Sequence, residues 1–127
     1  MEPGTILIEG KRHYFWICLY EFLGSVIFLL GINFASGNAL IIGMSFFIAS
    51  VLTGKVNGAH YNMSVTIAVY IIERKWLKNI RIALIIIIAD LLGATVGILL
   101  AIALKNGDSL FVLKPKSQLS PLWQVFI

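Results

Sequence analysis

The chain has 127 residues, 59% of them hydrophobic and 13% charged, with a mean hydropathy of +0.93. A soluble domain of this length needs far more polar surface to cover its core, so the composition points to one compact membrane unit. The net charge of +4 does not signal nucleic acid, because the bases sit at the ends of apolar runs and not in a stripe with exposed aromatics. The lone cysteine, Cys18, cannot form an internal disulfide and reads as a buried filler.

In chain order, residues 1–12 are polar and of mixed charge. The first predicted span covers 13–33, too long for a signal-peptide core and followed by no small-residue cleavage site, so it reads as retained. The uncharged run NFASGN (33–38) is rich in breakers and forms a turn. A second span covers 39–53 and is expected to end at Gly54-Lys55. A short apolar segment, 62–72, follows the polar run NGAHYN. ERKWLKNIR (73–81) reads as a basic amphipathic connection, and a third full span covers 80–104. From Lys105 the tail is polar, until LWQVFI ends the chain apolar.

Length decides what the short segment is. About ten helical residues reach roughly 15 Å, half of a hydrocarbon core of about 30 Å. A helix lying on the membrane surface carries a charged face, whereas the only polar residues of Met63 to Ile72 are Ser64, Thr66 and Tyr70. The expectation is a half-helix that enters the membrane and returns, with its unwound approach satisfied by protein or water. Re-entry puts seven bases (Lys11, Arg12, Lys55, Arg74, Lys75, Lys78, Arg81) on one side, which the positive-inside rule makes cytoplasmic or matrix-like, together with the N-terminus. The fold class is thus all-α membrane protein, three transmembrane helices plus one re-entrant half-helix.

Asn62 opens that half-helix. A carboxamide there sits beside the unpaired N–H groups of the first turn, at the positive end of the helix dipole. Near the bilayer midplane, this combination donates hydrogen bonds to a neutral solute and repels cations, while carrying no charge itself. Ordinary N-capping is the alternative role. His60 has no partner ligands that would suggest a metal, and bracing of the loop is the simpler reading. The chain offers no Ser/His/Asp set, carboxylate pair or phosphate loop, so neither an enzyme nor a cofactor is expected. On the third span Asp90, Gly93, Ala94, Gly97 and Ala101 form one stripe, with Gly93-x-x-x-Gly97 allowing two backbones to approach. Glu21, Gly24, Ser25 and Phe28 form a similar packing stripe on the first.

Three stretches resemble one family. NGAHYNMSVT (57–66) is similar to the first signature loop of the aquaporin and glycerol-facilitator (major intrinsic protein) family, S-G-A-H-x-N-P-A-V-T, with Gly58, Ala59, His60, Asn62, Val65 and Thr66 in register. YEFLGSVIFLL (20–30) resembles the family's first helix and ADLLGATVGILL (89–100) its third. The resemblance implies that Asn62 lines a pore, that the carbonyls of Gly58, Ala59 and His60 line its inner vestibule, and that Glu21 and His60 brace the loop. It further implies that Ile42 faces the outer constriction. Met63 and Ser64 stand where the family has Pro and Ala, which brings a flexible side chain into the narrowest region. Asp90 replaces the usual Gln and needs a proton, a cationic partner or water at that depth.

The family fold has two inverted halves, and residues 1–127 match the first repeat only, with no second Asn signature and no guarding arginine. The expected function is a passive channel module for water or small neutral solutes such as glycerol. Its partners are the lipid bilayer and a second half-repeat, drawn from the same longer chain, from a copy of itself or from another subunit; nucleic acid is not among them. The alternative is a non-conducting structural subunit of a larger membrane complex.

Overall fold

A computed structural model describes residues 11–74, 76–106 and 110. They form four helices and no strand: α1 (Lys11–Ala35), α2 (Ala39–Asn57), α3 (Met63–Glu73) and α4 (Trp76–Leu104). α1, over Tyr14–Ala35, and α4 are long and apolar enough to cross a membrane, while α2 and α3 are shorter apolar helices.

α1 runs two residues beyond the expected 13–33 at each end, and three further boundaries differ from the sequence expectation for local reasons. α2 does not stop at Gly54-Lys55 but continues to Asn57. There Gly58 takes the left-handed conformation (φ 85°) and donates its N–H to the Gly54 carbonyl at 3.0 Å, a glycine cap that costs no Cβ strain. α4 starts at Trp76, so most of the predicted 73–81 connection is its first turns. Before it, Arg74 caps α3 in the left-handed conformation at φ 52°. α3 begins at Met63, with Asn62 as its cap and not its first residue. The predicted polar segment before Lys11 and the LWQVFI run lie outside the described residues.

Ser36 and Gly37 turn the chain between α1 and α2, and Asn38 caps α2 by accepting from the N–H groups of Leu40 (3.0 Å) and Ile41 (3.3 Å). So short a turn makes α1 and α2 antiparallel neighbours. α4 packs on the other contact of α1 and runs parallel to it. Ile17 meets Ile82 and Ile86, Ser25 meets Asp90, and Val26 and Leu29 meet Gly97. The close approach is set by two glycines. A Cβ on Gly93 would strike the Phe22 carbonyl, and one on Gly97 would lie 2.8 Å from the Val26 carbonyl. α3 packs on α4.

The distribution of polarity is inverted relative to a soluble bundle. Leu40, Met44, Phe47, Val51 and Leu52 of α2 and Leu84, Ile88, Leu92 and Leu99 of α4 are exposed, whereas Glu21, Ser25, Thr53, His60, Thr66 and Asp90 are buried. Apolar side chains outward and polar groups inward suit a hydrocarbon solvent.

Candidate functional site

The segment between α2 and α3 is held in an unusual shape. Gly58, Ala59 and Tyr61 all have positive φ (85°, 58° and 45°), and only the first is a glycine. Left-handed backbone on residues with a Cβ costs about 1–3 kcal/mol each and persists only where the surroundings over-determine it.

Two side chains supply that determination. The first is Glu21, fully buried near the middle of α1. Its two carboxylate oxygens accept the backbone N–H of His60 (Oε1, 3.2 Å) and of Tyr61 (Oε2, 3.0 Å). These bonds satisfy two donors that no helix or strand takes up. The second is Tyr61, 3% exposed. Its hydroxyl donates to the Ala49 carbonyl at 3.1 Å and contacts the Thr53 hydroxyl, both on α2. Its ring packs edge-on to Phe46, which packs in turn on Phe28 of α1. The ring also fills the space beside Gly24, where any Cβ would overlap it. Gly24, expected to serve helix packing, instead makes room for this ring.

Beyond the loop, Asn62 caps α3: its Oδ1 accepts from Ser64 N–H at 2.8 Å, and its carbonyl accepts from Val65 and Thr66. With the oxygen engaged by the helix, the amide's NH2 is turned away from the first turn, and Asn62 is exposed. His60 Nδ1 lies 3.0 Å from the buried Thr66 hydroxyl, so the imidazole is tied to the first turn of α3. At its far end α3 joins the start of α4, through Tyr70 Oη to the Trp76 carbonyl (3.0 Å) and Asn79 to the Glu73 carboxylate. α3 thus extends from the level of mid-α1 to the beginning of α4. Between them His60, Thr66, Glu73, Asn79, Ile17 and Ile86 border a small cavity of about 30 Å³, enough to admit water.

Of the residues singled out in the sequence, Gly58, Ala59, His60, Asn62 and Met63 are contiguous, with Glu21 against them. Gly58, Asn62 and Met63 are exposed and His60 is buried. Ile42 is not brought to this cluster. It lies near the start of α2, about 24 Å of helix away from Gly58. Gly93 and Gly97 lie on the α1 seam. The residue the sequence reading passed over is Tyr61. Its type carries no capping or pore signal, and only the three-dimensional meeting of the loop with Gly24 and Ala49 reveals its role. Among the described residues no group of His, Cys, Asp and Glu could hold a metal ion.

Neither a curated protein nor a solved structure matches the chain. The model of the family described as major intrinsic protein matches residues 10–127, which takes in all four helices and the loop that Glu21 and Tyr61 hold. The chain therefore belongs to the major intrinsic protein family, integral membrane proteins that act as channels for water or small solutes and not as enzymes.

Proposed function

We propose that this chain is the first half of a passive channel for water or small neutral solutes such as glycerol, completed by a second half-repeat. In this reading the stretches 13–33, 39–53 and 80–104 cross the bilayer, and 62–72 is a half-helix that enters and returns. The observation that carries it is the geometry at Asn62. Its oxygen is committed to Ser64 N–H while the rest of the exposed amide is available. That leaves N–H donors at the positive end of α3, the pairing that accepts a neutral solute's lone pairs and opposes a cation. The bonds from Glu21 near the middle of α1 to the loop support a mid-membrane position for this end of α3. The carbonyls of Gly58, Ala59 and His60 supply acceptors on the approach, and Ile42 an apolar wall at the opposite end of α2. The bases Lys55, Arg74, Lys78 and Arg81, with Lys11 and Arg12, favour a cytoplasmic or matrix-side N-terminus.

The second half comes from a longer chain, from a second copy or from another subunit. A second reading, a non-conducting structural subunit, is favoured by Met63. Its flexible side chain, 47% exposed, stands next to Asn62, where it can fill the narrowest region.

Swelling of liposomes that hold this polypeptide together with its second half separates the two, and vesicles that hold it alone test a second copy in that place. Permeability to water or glycerol above that of empty vesicles is expected for the channel. No increase with both halves inserted leaves the structural role. Asn62→Asp tests the dipole mechanism, because a carboxylate at this position weakens cation exclusion; unchanged exclusion would remove Asn62 from the role assigned here.

A further inference from the structure

Behind the loop, α1 and α4 bury two acidic side chains against each other. Glu21 is 0% and Asp90 4% exposed, and the seam sets them at one level, since Ile86 packs with Ile17 below them and Gly93 lies against Phe22 and Ser25 above. Ser25, one turn after Glu21 and fully buried, donates its hydroxyl to Asp90 Oδ1 at 3.0 Å. The other oxygen, Asp90 Oδ2, is buried and has no hydrogen-bond partner. Among the described residues no Lys or Arg is hydrogen-bonded to either carboxyl. The titratable groups around the pair are Cys18 on α1 and the loop's His60 and Tyr61; Glu73 of α3 faces His60 and Asn79 instead.

Two carboxylates set side by side out of water repel strongly, and each lacks the solvation its charge requires. A proton between them removes one charge and turns the repulsion into a hydrogen bond. The hydrogen-bond partners decide which residue carries it. Both oxygens of Glu21 accept amide N–H groups, an arrangement that favours the ionised form. Asp90 has one oxygen accepting, as an acid carbonyl does, and one without a partner.

We infer that Glu21 and Asp90 form a proton-binding site, an acid–carboxylate pair that holds one proton between α1 and α4 with Asp90 as the acid. The pair carries one negative charge, shared between the proton and the two loop amides. The bonded series Ser25–Asp90–Glu21–loop then runs from helix to helix without an orphaned atom. The site depends on neither the pore nor a second half.

Infrared difference spectroscopy on the full chain in lipid tests it, since a protonated carboxylic acid has a C=O stretch apart from the carboxylate and amide bands. At neutral pH the wild type is expected to show such a band, shifted on exchange into D2O. Asp90→Asn, which keeps the shape and can donate its amide hydrogen to Glu21, is expected to abolish it. Ser25→Ala is expected to keep the band and raise its frequency, because the carbonyl loses its donor. No band in the wild type at neutral pH, as two carboxylates around a metal cation would also give, overturns the inference. So does a band that survives Asp90→Asn, or one that Ser25→Ala leaves unmoved.

Discussion

The α1–α4 seam and the 58–62 loop are both places where backbone comes close to something it must fit, and they are held by opposite means. At the seam, side chains are removed: Gly93 and Gly97 bring α4 onto the carbonyls of Phe22 and Val26. At the loop, side chains are added: Glu21 reaches in from α1, and Tyr61 reaches out to Ala49 and Thr53 of α2. The seam joins two regular helices whose backbone bonds are already made, so only shape matters there. The loop leaves its amides without helical partners, so it depends on distant polar groups. One region is sensitive to added volume, the other to lost hydrogen bonds.

Substitutions that exchange these sensitivities break the comparison or sharpen it. Gly93→Leu should have the largest effect, because its Cβ meets a backbone carbonyl that cannot rotate away. A loss of about 3 kcal/mol is expected, seen as a large fall in the thermal midpoint of the detergent-purified protein. A midpoint within error of wild type would mean that α1 and α4 are not this close.

Glu21→Gln comes next. The amide keeps one acceptor for two buried N–H groups and turns its own NH2 toward the other. We expect about 2 kcal/mol of destabilisation, concentrated in the loop. Amide hydrogen exchange should speed up at His60 and Tyr61 well before it does in mid-α4; uniform acceleration throughout would count against a local clamp.

Tyr61→Phe keeps the ring beside Gly24 and Phe46 but deletes the bond to Ala49. About 1 kcal/mol is expected, with liposome permeability, if present, little changed. A loss as large as that of Glu21→Gln would make the hydroxyl the principal anchor of the loop. Gly43→Leu is the smallest and serves as the control for the seam. Nothing lies within 4 Å of a Cβ there, so stability should stay within about 0.5 kcal/mol of wild type.

Much of this arrangement is legible in the residues, and where legibility stops is physically informative. The cap at Asn62 can be read because capping joins a side chain to N–H groups two or three positions on. The seam glycines can be read because their spacing repeats at the helical period. α2 ends four residues beyond the expected 53, since a glycine inside a helix and a glycine just past its end look alike until the backbone shows which is left-handed. The start of α4 was placed too late. Charged residues in a first helical turn resemble a loop by composition, although the backbone is already helical from Trp76.

The sequence by itself determined the apolar lengths, the breaks between them, the capping residue of α3 and the family signature, all of which depend on neighbours within a turn or two. Only the tertiary structure decided that Tyr61 bolts the loop to α2, that Gly24 exists to admit its ring, and that Asp90 meets Ser25 on the face of α1 that carries Glu21. Those contacts join residues from 12 to 65 or more positions apart. No local pattern encodes them, because they exist only once parallel packing of α1 and α4 has set the depth at which each polar group must find its partner.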